Sequence, residues 1–261
     1  MKPNILFIDI ETSPIFGAVW KMWDNNLSLD MIRDDWYILS YCAKWAGENK
    51  AIIYNDCRET LEDDYDLLSE LWSLLNSADI IIGHNLDKFD IKKINARFIL
   101  NGFTPPSPYG TIDTLKMAKK TFNFTSNKLE YLTDKLCEDK KLKHGKFPGY
   151  SLWKECLQGN EEAWQEMKEY NIMDVISLEE LYNVLKPWYP NHPVIYTPEE
   201  DSDEHVCPKC GGKHLQKRGF YATKAGIKYQ RFQCQECFGW SKSRYQEKTD
   251  KAVRELMPTS L

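Results

Sequence analysis

Ile5-Leu6-Phe7-Ile8-Asp9-Ile10-Glu11-Thr12 is the stretch on which the fold turns. Its alternation puts Leu6, Ile8 and Ile10 on one side of a strand and Ile5, Phe7, Asp9 and Glu11 on the other. Apolar residues on both faces predict a buried strand, yet one face carries two acids. Same-face neighbours have Cα atoms about 6.6–6.8 Å apart. Two carboxylates side by side near a core cost on the order of several kcal/mol unless a cation or protons compensate. The alternative is a strand end emerging into water, and Ser13-Pro14 does mark a strand end.

Working outward, residues 36–45 and 51–54 read as two further strands, antiparallel to the first. Thr60 with Asp63 resembles a capping box opening a helix that runs to about Asn76. Residues 79–83 form an apolar run typical of a buried strand. Residues 90–100 read as a helix stopped by Asn101-Gly102, and two more helices are predicted near 113–120 and 128–137. The last long helix spans about 161–185, with Trp164, Met167, Ile172, Val175, Leu178 and Leu181 at amphipathic spacing. Three strands, a helix, a strand and then helices make an α/β order: a mixed sheet flanked by helices.

Two more acids fall in unusual places. Asp90 closes Gly83-His84-Asn85-Leu86-Asp87-Lys88-Phe89-Asp90, after a buried strand and at a helix start, where an N-cap is the plain reading. Asp174 lies inside the long helix, where aspartate is a poor former. Tyr170, four residues earlier, projects from the same face. A solvated acid beside an amphipathic tyrosine is the plain reading of that pair.

Taken in chain order, strand D-x-E, N-x3-F-D at a strand–helix junction and helical Y-x3-D resemble the DEDD exonucleases of the RNase H-like superfamily. Asp-Ile-Glu-Thr at 9–12 and Tyr-Asn-Ile-Met-Asp at 170–174 are similar to motifs of the tyrosine subclass (DEDDy), which includes the proofreading domain of family B DNA polymerases. The resemblance covers residues 4 to about 186. It implies that Asp9, Glu11, Asp90 and Asp174 hold two Mg²⁺ or Mn²⁺ ions, with mid-strand Asp9 shared by both. It further implies that Tyr170 orients the attacking water, and that nucleoside monophosphates are released from single-stranded 3′ ends. Thr12 and Asn85 are candidate contacts to the terminal nucleotide, or else turn and capping residues. Asp87 is out of step with the pattern, Asp113 reads as an N-cap, and His84 as a satisfied histidine. No polymerase domain follows, a departure that argues against proofreading within this chain.

Charge and cysteines divide the chain of 261 residues, whose net charge is −5. His205 to Leu261 hold 12 Lys+Arg against 4 Asp+Glu, leaving 22 against 35 in the remainder. An acidic body with a basic tail suggests two modules, or a solvated basic face. Cys42, Cys57, Cys137 and Cys156 are scattered and read as reduced thiols. Cys207, Cys210, Cys234 and Cys237 form two C-x2-C pairs, which suit one structural Zn²⁺ better than two disulfides. A module this short would draw its stability from the metal. Lys213, Lys217, Arg218, Lys224, Lys228, Arg231, Lys242 and Arg244 lie among Phe220, Tyr221, Tyr229, Phe232, Trp240 and Tyr245. Such residues can neutralise phosphates and stack on bases, or form the module's small core. This half resembles the zinc ribbons of transposase-like and other nucleic-acid proteins.

The expected organisation is therefore an RNase H-like exonuclease domain at 1–186, a proline-rich acidic linker at 187–204, a zinc ribbon at 205–245 and a charged tail at 246–261. Aromatics at 13% and nine Trp exclude global disorder. No apolar run reaches the roughly 18–20 residues of a membrane span. The N-terminus lacks the pattern of a secretory signal, so a soluble, cytoplasmic protein is expected. The resulting expectation is a 3′–5′ exonuclease acting on DNA. An RNA 3′-end-trimming enzyme and a non-catalytic nucleic-acid adaptor are the competing readings.

Overall fold

The alternating strand of the N-terminus is β1 (Ile5–Thr12), buried along most of its length. It is followed by β2 (Phe16–Gly17), β3 (Ile32–Asp34), β4 (Ile38–Trp45) and β5 (Ile52–Asp56). Then come α1 (Tyr65–Asn76), β6 (Ile80–Gly83), α2 (Asp90–Leu100), β7 (Gly110–Asp113) and α3 (Thr114–Thr121). The remaining elements are α4 (Leu129–Leu136), α5 (Ser151–Leu157), α6 (Glu161–Leu185), β8 (Leu215–Ala222), β9 (Lys228–Cys234) and β10 (Trp240–Gln246). This computed structural model describes residues 3–23, 26–47, 51–138, 145–198, 205–224 and 226–247. The acidic stretch at 199–204 and most of the charged tail lie outside the described residues. Two units divide the chain, Asn4–Tyr182 and, together with Met1–Pro3, Asn183–Leu261.

In the first unit a five-stranded sheet has the order β5-β4-β1-β6-β7. β1 lies at its centre, antiparallel to β4 and parallel to β6, which is parallel to β7. This is the expected mixed sheet flanked by helices. β5 departs from expectation: it runs antiparallel to β4 and therefore in the direction of β1. Adjacent strands joined by a short connection reverse direction at each turn.

Leu6, Ile8 and Ile10 enter one hydrophobic cluster with Leu67, Leu68, Leu71 and Leu75 of α1 and with Ile94 and Phe98 of α2. Each such side chain contributes about 1.5–3 kcal/mol when fully buried. On the other face of β1, the ring of Phe7 meets Tyr182 of α6 edge-on, with centroids 5.7 Å apart. That contact brings α6 over the side of the strand that carries Asp9 and Glu11.

One local expectation is corrected. Thr60 and Asp63 do not open a helix; the Thr60 hydroxyl donates to the Asp63 carbonyl within a turn. α1 starts at Tyr65, whose N–H is received by Asp63 Oδ1 at 3.0 Å. Asp64, wholly buried, is committed elsewhere: it accepts from Ile38 N–H and from Arg97 Nε and Nη2 at 2.8 and 2.6 Å. The short α5 is an addition that the sequence reading did not include.

The second unit is built on an antiparallel sheet of order β10-β9-β8. Within segment 187–196, Ile195 N–H bonds the carbonyl of Pro208 at 2.8 Å. Lys209 is buried, and its ammonium donates to the carbonyls of Lys186, Pro187 and Tyr189 at 3.1, 3.0 and 2.9 Å. Those three bonds satisfy backbone carbonyls of the segment that follows α6.

Candidate active site and four-cysteine cluster

β1 fixes the relative position of two of the acids. Asp9 pairs across the sheet with Cys42 and Glu11 with Ser40. α6 supplies Asp174, which is 2% exposed. Asp9, Glu11 and Asp174 each offer a carboxylate oxygen, and these atoms all lie within 4.8 Å of one another. Three carboxylates this close repel one another strongly, and hard oxygen donors fit a divalent cation that would relieve the repulsion.

Asn171, not anticipated from the sequence, completes this arrangement. It is fully buried, and its Nδ2 donates to Asp9 Oδ2 at 2.7 Å. Its Oδ1 accepts from Ser40 Oγ at 3.3 Å, which fixes which way the amide points. The available signal was its place on α6, three residues before Asp174 and so on a neighbouring face.

Asp90 lies outside the three-acid group. Only 3% exposed, it accepts the N–H of Ile10, the residue between Asp9 and Glu11, at 3.3 Å. Burial raises its pKa to about 7; backbone N–H groups of Asp90 and Ile10 oppose the rise, and the charge of Asp113 adds to it. The sequence pattern thus brings three acids together and sets the fourth against the same strand.

Tyr170 is half-buried one turn before Asp174, its ring edge-on to Trp153 with centroids 6.4 Å apart. Thr12 follows a register shift at the end of β1. Asn85 adopts φ 65, a left-handed conformation that asparagine tolerates, and its N–H is held by Asp113 Oδ1 at 3.0 Å. Asp113 also caps α3 through Leu115 and Lys116 N–H, as expected. Asp87 pairs with Lys116 at 2.6 Å. Burial would raise its pKa, but hydrogen bonds from Lys116 and Thr111 outweigh it and hold the carboxyl below its usual range. Both ring nitrogens of His84 are engaged, with Thr114 Oγ1 and the Asn127 carbonyl, each at 2.9 Å. Behind the acids, burial and then the charges of Asp9 and Asp174 push the Cys42 thiol up, so it stays neutral.

A family model described as RNase_H superfamily matches residues 28–186. The chain belongs to the RNase H superfamily. Asp90, Tyr170 and Asp174 fall within the matched segment, whereas Asp9 and Glu11 precede it. No curated protein sequence matches the chain. Among solved structures, the family B DNA polymerase from the hyperthermophilic archaeon Pyrobaculum calidifontis is similar, with a TM-score of 0.51 and 11% identity. That match covers 73% of this chain and 26% of the polymerase, so the chain spans about a quarter of the polymerase's length. The likeness speaks for the fold. Together with the acid group, the RNase H superfamily fold supports a nuclease.

Beyond the RNase H superfamily domain, Cys207, Cys210, Cys234 and Cys237 form a second group whose sulfurs lie within 4.8 Å of one another. None of the four is in a disulfide, and Cys207···Cys237 and Cys210···Cys234 lie at 3.7 Å. A tetrahedral metal about 2.3 Å from each sulfur requires sulfurs roughly 3.8 Å apart, so the cluster fits such an ion. Backbone N–H groups of Gly212 and Glu236 point at Cys210 and Cys234 sulfur, each at 3.4 Å. Hydrogen bonds from Cys210 and Cys237 pull Cys207 toward the thiolate, and the same sharing pushes those two thiols up. Among the described residues, no helix is long and apolar enough to cross a membrane.

Proposed function

We propose that this chain is a metal-dependent 3′–5′ exonuclease of the tyrosine subclass (DEDDy), hydrolysing terminal phosphodiesters of single-stranded DNA. The observation that carries the reading is the convergence of Asp9, Glu11 and Asp174, distant in sequence, into one group of oxygen donors. Two Mg²⁺ or Mn²⁺ ions bound there supply the Lewis acidity that phosphodiester hydrolysis requires at neutral pH. Asp9, held by Asn171, would be the ligand both ions share, with Glu11, Asp174 and Asp90 as the remaining acids of the set. The Tyr170 hydroxyl positions the attacking water. With an ordinary pKa near 10 for tyrosine, positioning suits it better than proton abstraction. Thr12 and Asn85 contact the terminal nucleotide. In the second unit, one structural Zn²⁺ is held by Cys207, Cys210, Cys234 and Cys237, forming a zinc ribbon that aids nucleic-acid binding.

A panel of end-labelled single- and double-stranded DNA and RNA tests this reading, with Mg²⁺, Mn²⁺ or EDTA. A ladder shortening from the 3′ end of single-stranded DNA, abolished by EDTA, is the expected result. Preferred shortening of RNA would redirect the substrate, and the absence of products under every condition would refute the enzyme.

A further inference from the structure

The sheet of the second unit has two unlike faces. Across β9, Tyr221 pairs with Tyr229, Lys242 with Arg231 and Trp240 with Gln233. Alternation along β9 places all of these on one side. On the other side Phe232 and Cys234 are buried, with Phe232 against His205 at a centroid distance of 5.3 Å. The first face is open: Tyr221 and Trp240 are each 45% exposed.

Cations sit on those rings. Lys242 Nζ lies 4.2 Å from the centroid of Tyr221 and 5.0 Å from that of Tyr229. The guanidinium of Arg231 lies 4.9 Å from the Trp240 ring, and its Nε is fixed on the Arg218 carbonyl at 2.9 Å. Each of the three strands contains two Lys or Arg, and none contains Asp or Glu. Cation–π contacts alone would need no such excess, because like charges on neighbouring strands repel. An anionic partner relieves that repulsion, and a planar partner has rings on which to stack.

We propose that this face binds single-stranded nucleic acid. Unpaired bases stack on Tyr221 and Trp240, while Lys242 and Arg231 meet phosphates. The choice of partner class rests on the nuclease reading above, but the face uses none of the catalytic acids. A duplex keeps its bases within its own stack and would offer this face phosphates only.

The test uses the full, metal-replete chain carrying Asp174→Asn, so that ends stay intact, with a labelled single strand and the matching duplex. Tighter binding of the single strand is expected. Tyr221→Ala and Trp240→Ala should each weaken it roughly 5- to 100-fold, whereas Tyr221→Phe and Trp240→Phe should retain it, since stacking needs only a ring. Lys242→Gln should lower the salt dependence by about one charge, and Lys217→Gln, on the opposite face, should not. Equal affinity for duplex, unchanged affinity in both alanine variants, equal effects of the two lysine changes, or no nucleic-acid binding at all would overturn the proposal. If binding behaves as expected but the wild-type chain cleaves nothing, this face stands and the nuclease reading falls. Cleavage with unaltered binding in the alanine variants gives the converse.

Discussion

Asn171 donates its side-chain amide to Asp9 Oδ2 at 2.7 Å and receives Ser40 Oγ on its oxygen at 3.3 Å. The central carboxylate is therefore aimed by a buried relay of uncharged groups rather than by a neighbouring charge. Such relays hold a ligand oxygen in place without competing for the cation. Asn171→Ala should reduce nuclease turnover about 10- to 100-fold and raise the Mn²⁺ concentration needed for half activity. Saturating metal should recover part of the rate. A loss of rate with no change in the metal titration would assign Asn171 a role in packing instead.

Asp90 carries a pH signature. Its pKa of about 7 in the fold exceeds its ordinary 3.8. Between those values the folded state keeps a proton that the unfolded chain releases, so stability from this group is complete at low pH and is lost as pH rises toward 7. Without added Mg²⁺ or Mn²⁺, Asp90→Asn should be more stable than wild type at pH 8, and the gap should close toward pH 5. Thermal unfolding across that range checks the sign. The same variant should lose nuclease activity.

Arg97 and Asp64 form a pair in which the carboxylate is wholly buried. Arg97→Met leaves that charge without its principal partner and should cost about 3–5 kcal/mol. Urea unfolding would measure the loss, and a change under about 1 kcal/mol would mean that solvent reaches Asp64.

The cysteine cluster should retain one zinc per chain through purification. Cys234→Ser should abolish it; once a chelator has stripped the zinc from the wild-type chain, adding Zn²⁺ back should release protons, because thiols ionise when they bind metal. Elemental analysis at a ratio near zero would contradict a metal at this cluster.

The fold was legible where periodicity is strong: alternation gave β1, and amphipathic spacing gave α6, which runs from Glu161 to Leu185. The Cys spacing likewise foretold the cluster, since two tight pairs leave little conformational choice. Local pattern failed where a distant partner decides. Thr60 and Asp63 look like a capping box, but the start of α1 is set around Asp64, whose oxygens belong to Arg97, 33 residues away. Asn171 reads as an ordinary polar helix residue until the sheet brings Asp9 beneath it. Asp90 could be singled out by position, yet only the structure reveals that its carboxylate rests on Ile10 N–H rather than among the other three.

The most direct test follows a 5′-labelled single-stranded oligonucleotide in Mg²⁺ or Mn²⁺ with the wild-type chain and with Asp174→Ala, at matched folding and zinc content. Wild type should give a ladder shortening from the 3′ end, and the variant should lose about a hundred- to a thousandfold in rate, the scale at which removing a key electrostatic group acts. A variant that degrades the strand as fast as wild type would contradict the account.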